Sequence, residues 1–148
     1  MITTKKISSK DTLLLRNEVL RPGKLREECI FDGDDDLSTF HLGLFLNNKQ
    51  VGILSVFQSS NLYFSESLQY QLRGMAILNE YRNQSLGAKL IEEAELILSS
   101  LNAELIWCNA RQTAENFYKK HQYKSYDEYF EIKEIGLHLI MFKKLLYK

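Results

Sequence analysis

Apolar residues recur at intervals of three and four after position 85, which is the spacing of one helix face. The pattern predicts a helix over residues 86–101 that packs on a sheet. Polar residues fall on the other side of this helix, as a solvated face requires. The apolar face comprises Leu86, Leu90, Ala94, Ile97 or Leu98, and Leu101, and the polar face comprises Lys89, Glu92, Glu93 and Ser99.

Alternating apolar runs predict strands along most of the remaining chain. A hairpin is expected over residues 38–57, because two such runs flank Asn47-Asn48-Lys49. A second hairpin is expected at the end of the chain, with its turn at residues 133–136. The predicted strands outside the first hairpin are residues 2–7, 69–77, 104–109, 124–132 and 137–145.

Two shorter helices complete the predicted order of elements. The first covers residues 11–20 and ends near Arg21, because Pro22 disfavours helical geometry in the residue before it. The second follows from Ala114, Phe117 and Tyr118, with His121 at its end. Two βα units between terminal hairpins predict an α/β (mixed α+β) fold, with a mixed sheet of about seven strands and helices on both faces.

Composition narrows the class of protein. A chain of 148 residues with 45% hydrophobic content suits one domain over residues 1–148. The 19 basic and 19 acidic residues cancel, which disfavours nucleic-acid binding. No apolar run approaches the roughly 20 residues that cross a bilayer, so no membrane span is expected. Two distant cysteines, Cys29 and Cys108, and an N-terminus without a signal-peptide pattern favour the cytoplasm.

The loop Arg82-Asn83-Gln84-Ser85-Leu86-Gly87 lies between a predicted strand and the long helix. Small residues let the backbone close around an anion, and the first turn of a helix leaves several N–H groups without intrahelical partners. A serine and a glycine at this place also suit a simple N-cap with a close packing contact. The loop therefore predicts a phosphate site, with the N-cap as the alternative.

Three segments resemble the GCN5-related N-acetyltransferase (GNAT) family. The loop is similar to the acyl-CoA signature Arg-x-x-Gly-x-Gly, with Ser85 in place of the first glycine. The segment from Ala110 to Tyr118 resembles the family helix that carries Ala-x-x-Phe-Tyr, although Gln122-Tyr123 replaces the Gly-Phe pair that follows. A left-handed helix cap favours glycine, so this terminus is expected to be built differently. Weaker similarity at residues 19–23, 31–34 and 39–41 is to a bacterial subgroup of unassigned substrate.

The resemblance implies acetyl-CoA as cosubstrate and direct transfer of its acetyl group to a primary amine, which belongs to a small molecule or a protein. Tyr118 is the implied catalytic acid, since a phenol stays protonated at neutral pH. Backbone groups near the end of the strand 69–77 are the implied oxyanion donors. The implied cofactor-binding residues are Met75, Ala76, Ile77, Arg82, Asn83, Gln84, Ser85, Leu86, Gly87, Ala88, Asn116 and Phe117.

Several alternatives stay open at this stage. The chain could instead be an acyl-CoA sensor without turnover, because Ser85 departs from the motif and no general base is assigned. Glu134, His138 and His41 are the candidate bases. The acidic run at residues 32–36 predicts a polar turn, or a site that attracts a cationic amine, rather than a metal site. Both cysteines are interpreted as ordinary thiols, and exposed strand edges allow a homodimer.

Overall fold

A computed structural model describes residues 1–133 and 135–145. Seven strands form a mixed sheet in the order β1-β2-β3-β4-β5-β7-β6. The strands are β1 Ile2–Ile7, β2 Phe40–Leu46, β3 Lys49–Gln58, β4 Gln69–Ile77, β5 Leu105–Arg111, β6 Lys124–Ile132 and β7 Gly136–Lys144. The predicted α/β class and the mixed seven-stranded sheet are confirmed.

Three α-helices lie between the strands: α1 Leu13–Leu15, α2 Leu86–Ser100 and α3 Glu115–Lys120. Short 3-10 turns are found at Ser9–Thr12, Arg26–Cys29, Asn79–Tyr81 and Gln112–Ala114, and a π-helical turn covers Arg16–Leu20. The predicted short helix over residues 11–20 is helical throughout, but three helical geometries succeed one another there. Its end at Arg21 is correct, where the backbone leaves helical angles ahead of Pro22.

Two compact units divide the chain, and β4 contributes to each. The first unit contains Met1–Phe57 and Arg73–Leu98. Its strands β1, β2 and β3 pair antiparallel in sequence order. Asn47 and Asn48 both adopt positive φ in the tight turn between β2 and β3, which is the backbone of a two-residue hairpin. The buried face of α2 consists of Leu86, Leu90, Ile91, Ala94 and Leu98.

The second unit contains Gln58–Leu72 and Ser99–Lys148. The last strand in sequence, β7, lies between β5 and β6 and pairs antiparallel with both. At the start of the unit, residues 69–71 of β4 pair parallel with residues 105–107 of β5. Trp107 is buried and donates its indole N–H to the Ser59 carbonyl at 2.8 Å. In the part of the chain that the structure describes, no helix is long and apolar enough to cross a membrane.

Candidate active site

The loop between β4 and α2 has an unusual backbone. Asn83 and Ser85 adopt the left-handed conformation, with φ of 61° and 60°. An L-residue pays about 1–2 kcal/mol for this geometry, a cost that glycine largely avoids. The position at which Ser85 replaces glycine is therefore one that favours glycine on physical grounds. Left-handed residues that alternate with ordinary ones turn successive N–H groups toward one concave side, which is a known form of anion site.

Main-chain donors of this loop are open to a ligand. The helix α2 begins at Leu86, so the amides of Leu86, Gly87 and Ala88 have no acceptor inside the helix. Across the described ranges, no amide of residues 83–88 takes part in a turn or loop hydrogen bond. Residues 82–85 are exposed, and only the side chain of Leu86 is buried. The arrangement offers hydrogen-bond donors to solvent at the positive end of a helix dipole.

Ser85 does not act as an ordinary N-cap. An N-cap residue has extended backbone angles and accepts a hydrogen bond from an amide of the first turn on its side-chain oxygen. Ser85 has a left-handed φ, and its hydroxyl makes no hydrogen bond to any residue that the structure describes. The simpler alternative for this serine is thus not what the backbone shows.

Two basic side chains flank the loop. Arg82 is exposed and donates from Nε to the carbonyl of Ile77 across a long 3.5 Å, which ties it loosely to the end of β4. Lys89 is exposed on the first turn of α2. Both cations lie close in sequence to the free amides, so they add positive potential where the helix dipole is already positive.

The second half of β4 carries Met75, Ala76 and Ile77. Ala76 is buried, whereas Met75 and Ile77 are half-buried. Gly74 has φ of 65°, so the strand is irregular just before Met75.

Tyr118 lies on α3 in the second unit and is buried. Its hydroxyl donates a hydrogen bond to the Cys108 thiol of β5. Burial, with a smaller contribution from Cys108, raises the pKa of Tyr118 well above its ordinary value. Burial also raises the pKa of Cys108 to about 12. Both groups therefore keep their protons at neutral pH. The neighbouring Asn116 is exposed and Phe117 is half-buried.

The end of α3 corrects the expectation drawn from Gln122. Gln122 is left-handed, with φ of 73°, at the position that directly follows the helix cap His121. Its amide donates to the Lys119 carbonyl at 3.1 Å, and the Tyr123 amide donates to the Tyr118 carbonyl at 3.0 Å. These two bonds define a Schellman motif. The terminus is thus a left-handed cap after all, with glutamine where glycine is favoured.

Comparison with known proteins identifies the family. A family model described as an acetyltransferase (GNAT) domain matches residues 38–125. The chain is 38% identical over 145 residues to the "Uncharacterized N-acetyltransferase YitI" of Bacillus subtilis. The aligned region covers 98% of this chain and 97% of that protein. The chain belongs to the GNAT family. As a GNAT protein it is an N-acyltransferase, and members of this family use acetyl-CoA or another acyl-CoA.

Solved structures share the GNAT fold at low sequence identity. A putative N-acetyltransferase from Lactobacillus plantarum superposes with a TM-score of 0.79 at 17% identity, over 98% of this chain and 99% of that one. The PaiA N-acetyltransferase from Thermoplasma acidophilum, solved in complex with coenzyme A, gives a TM-score of 0.73 at 19% identity, over 98% and 99% of the two chains. These similarities establish the fold of the GNAT chain.

The candidate bases of this GNAT chain have mostly structural surroundings. His41 is buried, with Nδ1 2.7 Å from the Ser55 hydroxyl and Nε2 2.9 Å from the Asp34 carbonyl oxygen, so both ring nitrogens are used. His138 is buried, with Nδ1 2.8 Å from the carbonyl oxygen of Gly136. Glu134 lies outside the described residues. Neither His41 nor His138 therefore has the solvent-accessible ring nitrogen expected of a general base.

The acidic run of the GNAT chain forms a turn over residues 32–35, as predicted, but one member points inward. Asp34 is buried and receives two hydrogen bonds from the fully buried Arg16, at 2.7 and 2.9 Å. Although burial opposes it, the Arg16 hydrogen bond holds the pKa of Asp34 below its ordinary value. Asp34 is thus a structural ion-pair partner. It is not available to attract a cationic amine.

Sequence reasoning missed the arginine cluster to which this pair belongs. Arg16, Arg21 and Arg73 all place their guanidinium groups near the ring of Phe31. One signal was present in the sequence, because Arg73 interrupts the otherwise largely apolar second half of β4, and a charged residue in such a strand calls for an explanation. No pattern in the sequence near Cys108 predicted that it would be the hydrogen-bond partner of Tyr118.

Proposed function

We propose that the chain acts as one N-acetyltransferase domain over residues 1–148, moving the acetyl group of acetyl-CoA directly to a primary amine in a ternary complex. The observation that carries the proposal is the loop before α2, where left-handed Asn83 and Ser85 precede a helix start with free amides. Such a loop suits a diphosphate. The coenzyme A complex of PaiA, which has the same fold, supports the choice of cosubstrate.

Cofactor binding is proposed to rest mainly on main-chain groups of the first unit. The amides of residues 83–88 would bind the diphosphate, with Arg82 adding charge. Backbone groups of Met75, Ala76 and Ile77 would bind the thioester end of the pantetheine arm. Asn116 and Phe117 are further proposed cofactor-binding residues, on the strength of the family motif.

The reaction needs three contributions. The neutral amine nitrogen attacks the thioester carbonyl, and a β4 main-chain N–H stabilises the oxyanion that develops there. The carbon–sulfur bond then breaks, and the thiolate of CoA takes a proton from the Tyr118 hydroxyl. The nitrogen releases its proton to water, and water returns a proton to the Tyr118 phenolate. The products are an acetamide and free CoA. Because burial raises the pKa of Tyr118, the phenol holds its proton until negative charge forms on sulfur.

The proposal is tested first by ligand-dependent melting with CoA, acetyl-CoA, ATP and NAD. At about 100 times the dissociation constant, a ligand adds roughly 2.7 kcal/mol of stability, which is on the order of 5 to 10 °C here. We expect this shift with CoA and acetyl-CoA only. A shift with ATP or NAD alone would contradict the proposal.

Release of free thiol from acetyl-CoA in the presence of amines then separates an enzyme from a sensor. We expect thiol release that depends on both the amine and the protein. Binding of acetyl-CoA without amine-dependent thiol release, across a broad panel of primary amines, would favour a sensor instead.

A further inference from the structure

Three arginine side chains of the first unit converge on the ring of Phe31. The guanidinium carbon lies 3.8 Å from the ring centroid for Arg16, 4.4 Å for Arg73 and 5.5 Å for Arg21. Arg73 also lies 5.4 Å from the centroid of Phe57. Like charges this close repel one another, and part of the cluster is shielded from water. Such an arrangement needs negative charge nearby.

The described residues supply only part of that charge. Asp34 neutralises Arg16, yet the Nε of Arg16 is buried without a hydrogen-bond partner in the described structure. Arg21 donates to the main-chain carbonyl of Glu28, which carries no net charge. Asp32 is exposed and near enough to favour the charged form of Arg73, but it makes no ion pair with it among the described residues. The cluster therefore has more donors than acceptors.

Arg73 is the member without a partner. Its half-buried guanidinium makes ring contacts with Phe31 and Phe57, but no hydrogen bond or ion pair to any residue that the structure describes. Burial, and then the charge of Arg16, lower the pKa of Arg73, although an arginine stays protonated at neutral pH. Because its contacts are aromatic rings rather than hydrogen-bond acceptors, the planar N–H edge of this guanidinium stays available. That edge matches a carboxylate in a bidentate pair.

The place of Arg73 on β4 connects it with the proposed acyl site. Arg73 directly precedes Gly74, and Met75 follows. A Cβ on Gly74 would lie 2.9 Å from the ring of Phe31 and would also meet a left-handed backbone, so glycine is what lets the ring sit against the strand. At a rise of about 3.3 Å per residue, the main chains of Arg73 and Met75 are about 7 Å apart. An anion held at Arg73 is thus near the strand segment proposed to face the thioester.

We propose that Arg73, supported by Arg21, binds a carboxylate of the acceptor, so that the acceptor is a primary amine that carries a carboxylate, such as a free amino acid. This inference rests on the proposed function and deepens it. The carboxylate supplies the negative charge that the cluster lacks. The aromatic rings of Phe31 and Phe57 hold the guanidinium in orientation, and the amine of the same molecule is left to attack the acetyl carbonyl.

The test uses matched acceptors that differ only in the carboxylate. Thiol release from acetyl-CoA is measured with the free amino acids and with their C-terminal amides, for the wild type, Arg73→Gln, Arg73→Lys and Arg26→Gln. Arg26 is an exposed arginine of the same segment of chain that makes no contact with Phe31 among the described residues, and its variant serves as the control.

For the wild type we expect at least one amino acid to exceed its amide in kcat/KM by about tenfold or more, which is the scale of one charge-assisted hydrogen-bonded contact. Arg73→Gln should raise KM for that amino acid by a similar factor and remove the preference over the amide, with a smaller effect on kcat. Arg73→Lys should keep part of the preference, and Arg26→Gln should keep all of it.

Equal use of amides and amino acids by the wild type would overturn the inference, whether or not the variants fold. Turnover of amines without a carboxylate, and of no others, would also overturn it. An Arg73→Gln enzyme that still prefers amino acids to their amides would do the same. These results leave the proposed function intact, because amine-dependent thiol release persists. Failure of the proposed function has a different signature, which is the absence of a melting shift with CoA or of any amine-dependent thiol release.

Discussion

The loop before α2 and the end of α3 share one departure from the GNAT pattern but resolve it differently. Each has a left-handed residue where the family motif has glycine, Ser85 in the first unit and Gln122 in the second. At the end of α3, the Schellman bonds and a ring contact at 5.4 Å between Tyr118 and Tyr123 compensate the backbone cost. At Ser85, no comparable bond is made among the described residues.

This difference distinguishes the roles of the two left-handed residues, Ser85 and Gln122. Gln122 is held by the helix that it terminates, so its conformation is explained by local structure. Ser85 is exposed and the amides of its neighbours make no turn or loop hydrogen bond among the described residues, so local structure does not explain its conformation. Backbone strain that the protein does not compensate internally is typical of functional sites. The comparison therefore favours the loop before α2 as the proposed ligand-binding loop.

The largest expected effect comes from Ser85→Pro. Proline requires φ near −65°, which is incompatible with the observed 60°, and it has no N–H to donate. Several of the proposed charge-assisted bonds to the diphosphate depend on this backbone, so the dissociation constant for CoA should rise by about 100-fold or more. Titration calorimetry measures it directly.

The matched control is Gln122→Pro, which imposes the same backbone conflict at the end of α3. It should lower the melting temperature, while the folded protein binds CoA within about twofold of the wild type. CoA binding by Ser85→Pro at wild-type strength, or an equal loss in both variants, would remove the distinction between the two regions.

An intermediate effect is expected from Tyr118→Phe. Loss of the acid should reduce kcat by about 100-fold, the lower end of acid–base catalysis, while the CoA dissociation constant changes little. Because burial raises the pKa of Tyr118 well above the ordinary value of a phenol, its titration should add no fall to the wild-type pH–rate profile in the range in which a free phenol stays protonated.

Cys108→Ala is the control for this variant, since it removes the hydrogen-bond partner of the hydroxyl but keeps the phenol. Its kcat should stay within a few-fold of the wild type. Unchanged turnover in Tyr118→Phe would exclude Tyr118 from the mechanism, and an equal fall in Cys108→Ala would assign the effect to packing.

The smallest effect is expected from restoring glycine. Ser85→Gly and Gln122→Gly should each raise the free energy of unfolding by about 0.5–1 kcal/mol, because relief of left-handed strain exceeds the entropy that glycine adds to the unfolded chain. Denaturant unfolding measures both. Ser99→Gly, within the exposed last turn of α2, should instead lower stability by up to about 1 kcal/mol. Destabilisation by both restoring variants would contradict the left-handed geometry.

Local patterns in the sequence predicted the elements well. The bounds of β4 and β6 agree with the alternation of apolar residues, and α2 begins at the predicted Leu86 because a helical period is a local property. Placement of β7 between β5 and β6 was not predictable in the same way, because strand pairing depends on contacts between distant residues. The mixed helical geometry of residues 9–20 also had no distinct pattern.

The candidate site likewise contains one part that local sequence predicts and one part that depends on contacts between distant residues. The loop before α2 lies within one short segment, so its residue types alone indicated an anion site. The arginine cluster brings together Arg16, Asp34 and Arg73, which are far apart in sequence and meet only in the folded unit. A family motif points to residues that its members share, and none of the quoted motifs includes Arg73.

The central claim is that main-chain amides at the start of α2 bind the diphosphate of CoA. Nuclear magnetic resonance of ¹⁵N-labelled protein, titrated with CoA, tests it at the individual amides. We expect the amide resonances of Leu86, Gly87 and Ala88 to shift strongly as CoA saturates, as amides do when they donate to phosphate oxygens. Saturable binding of CoA that leaves these three resonances in place would contradict the account.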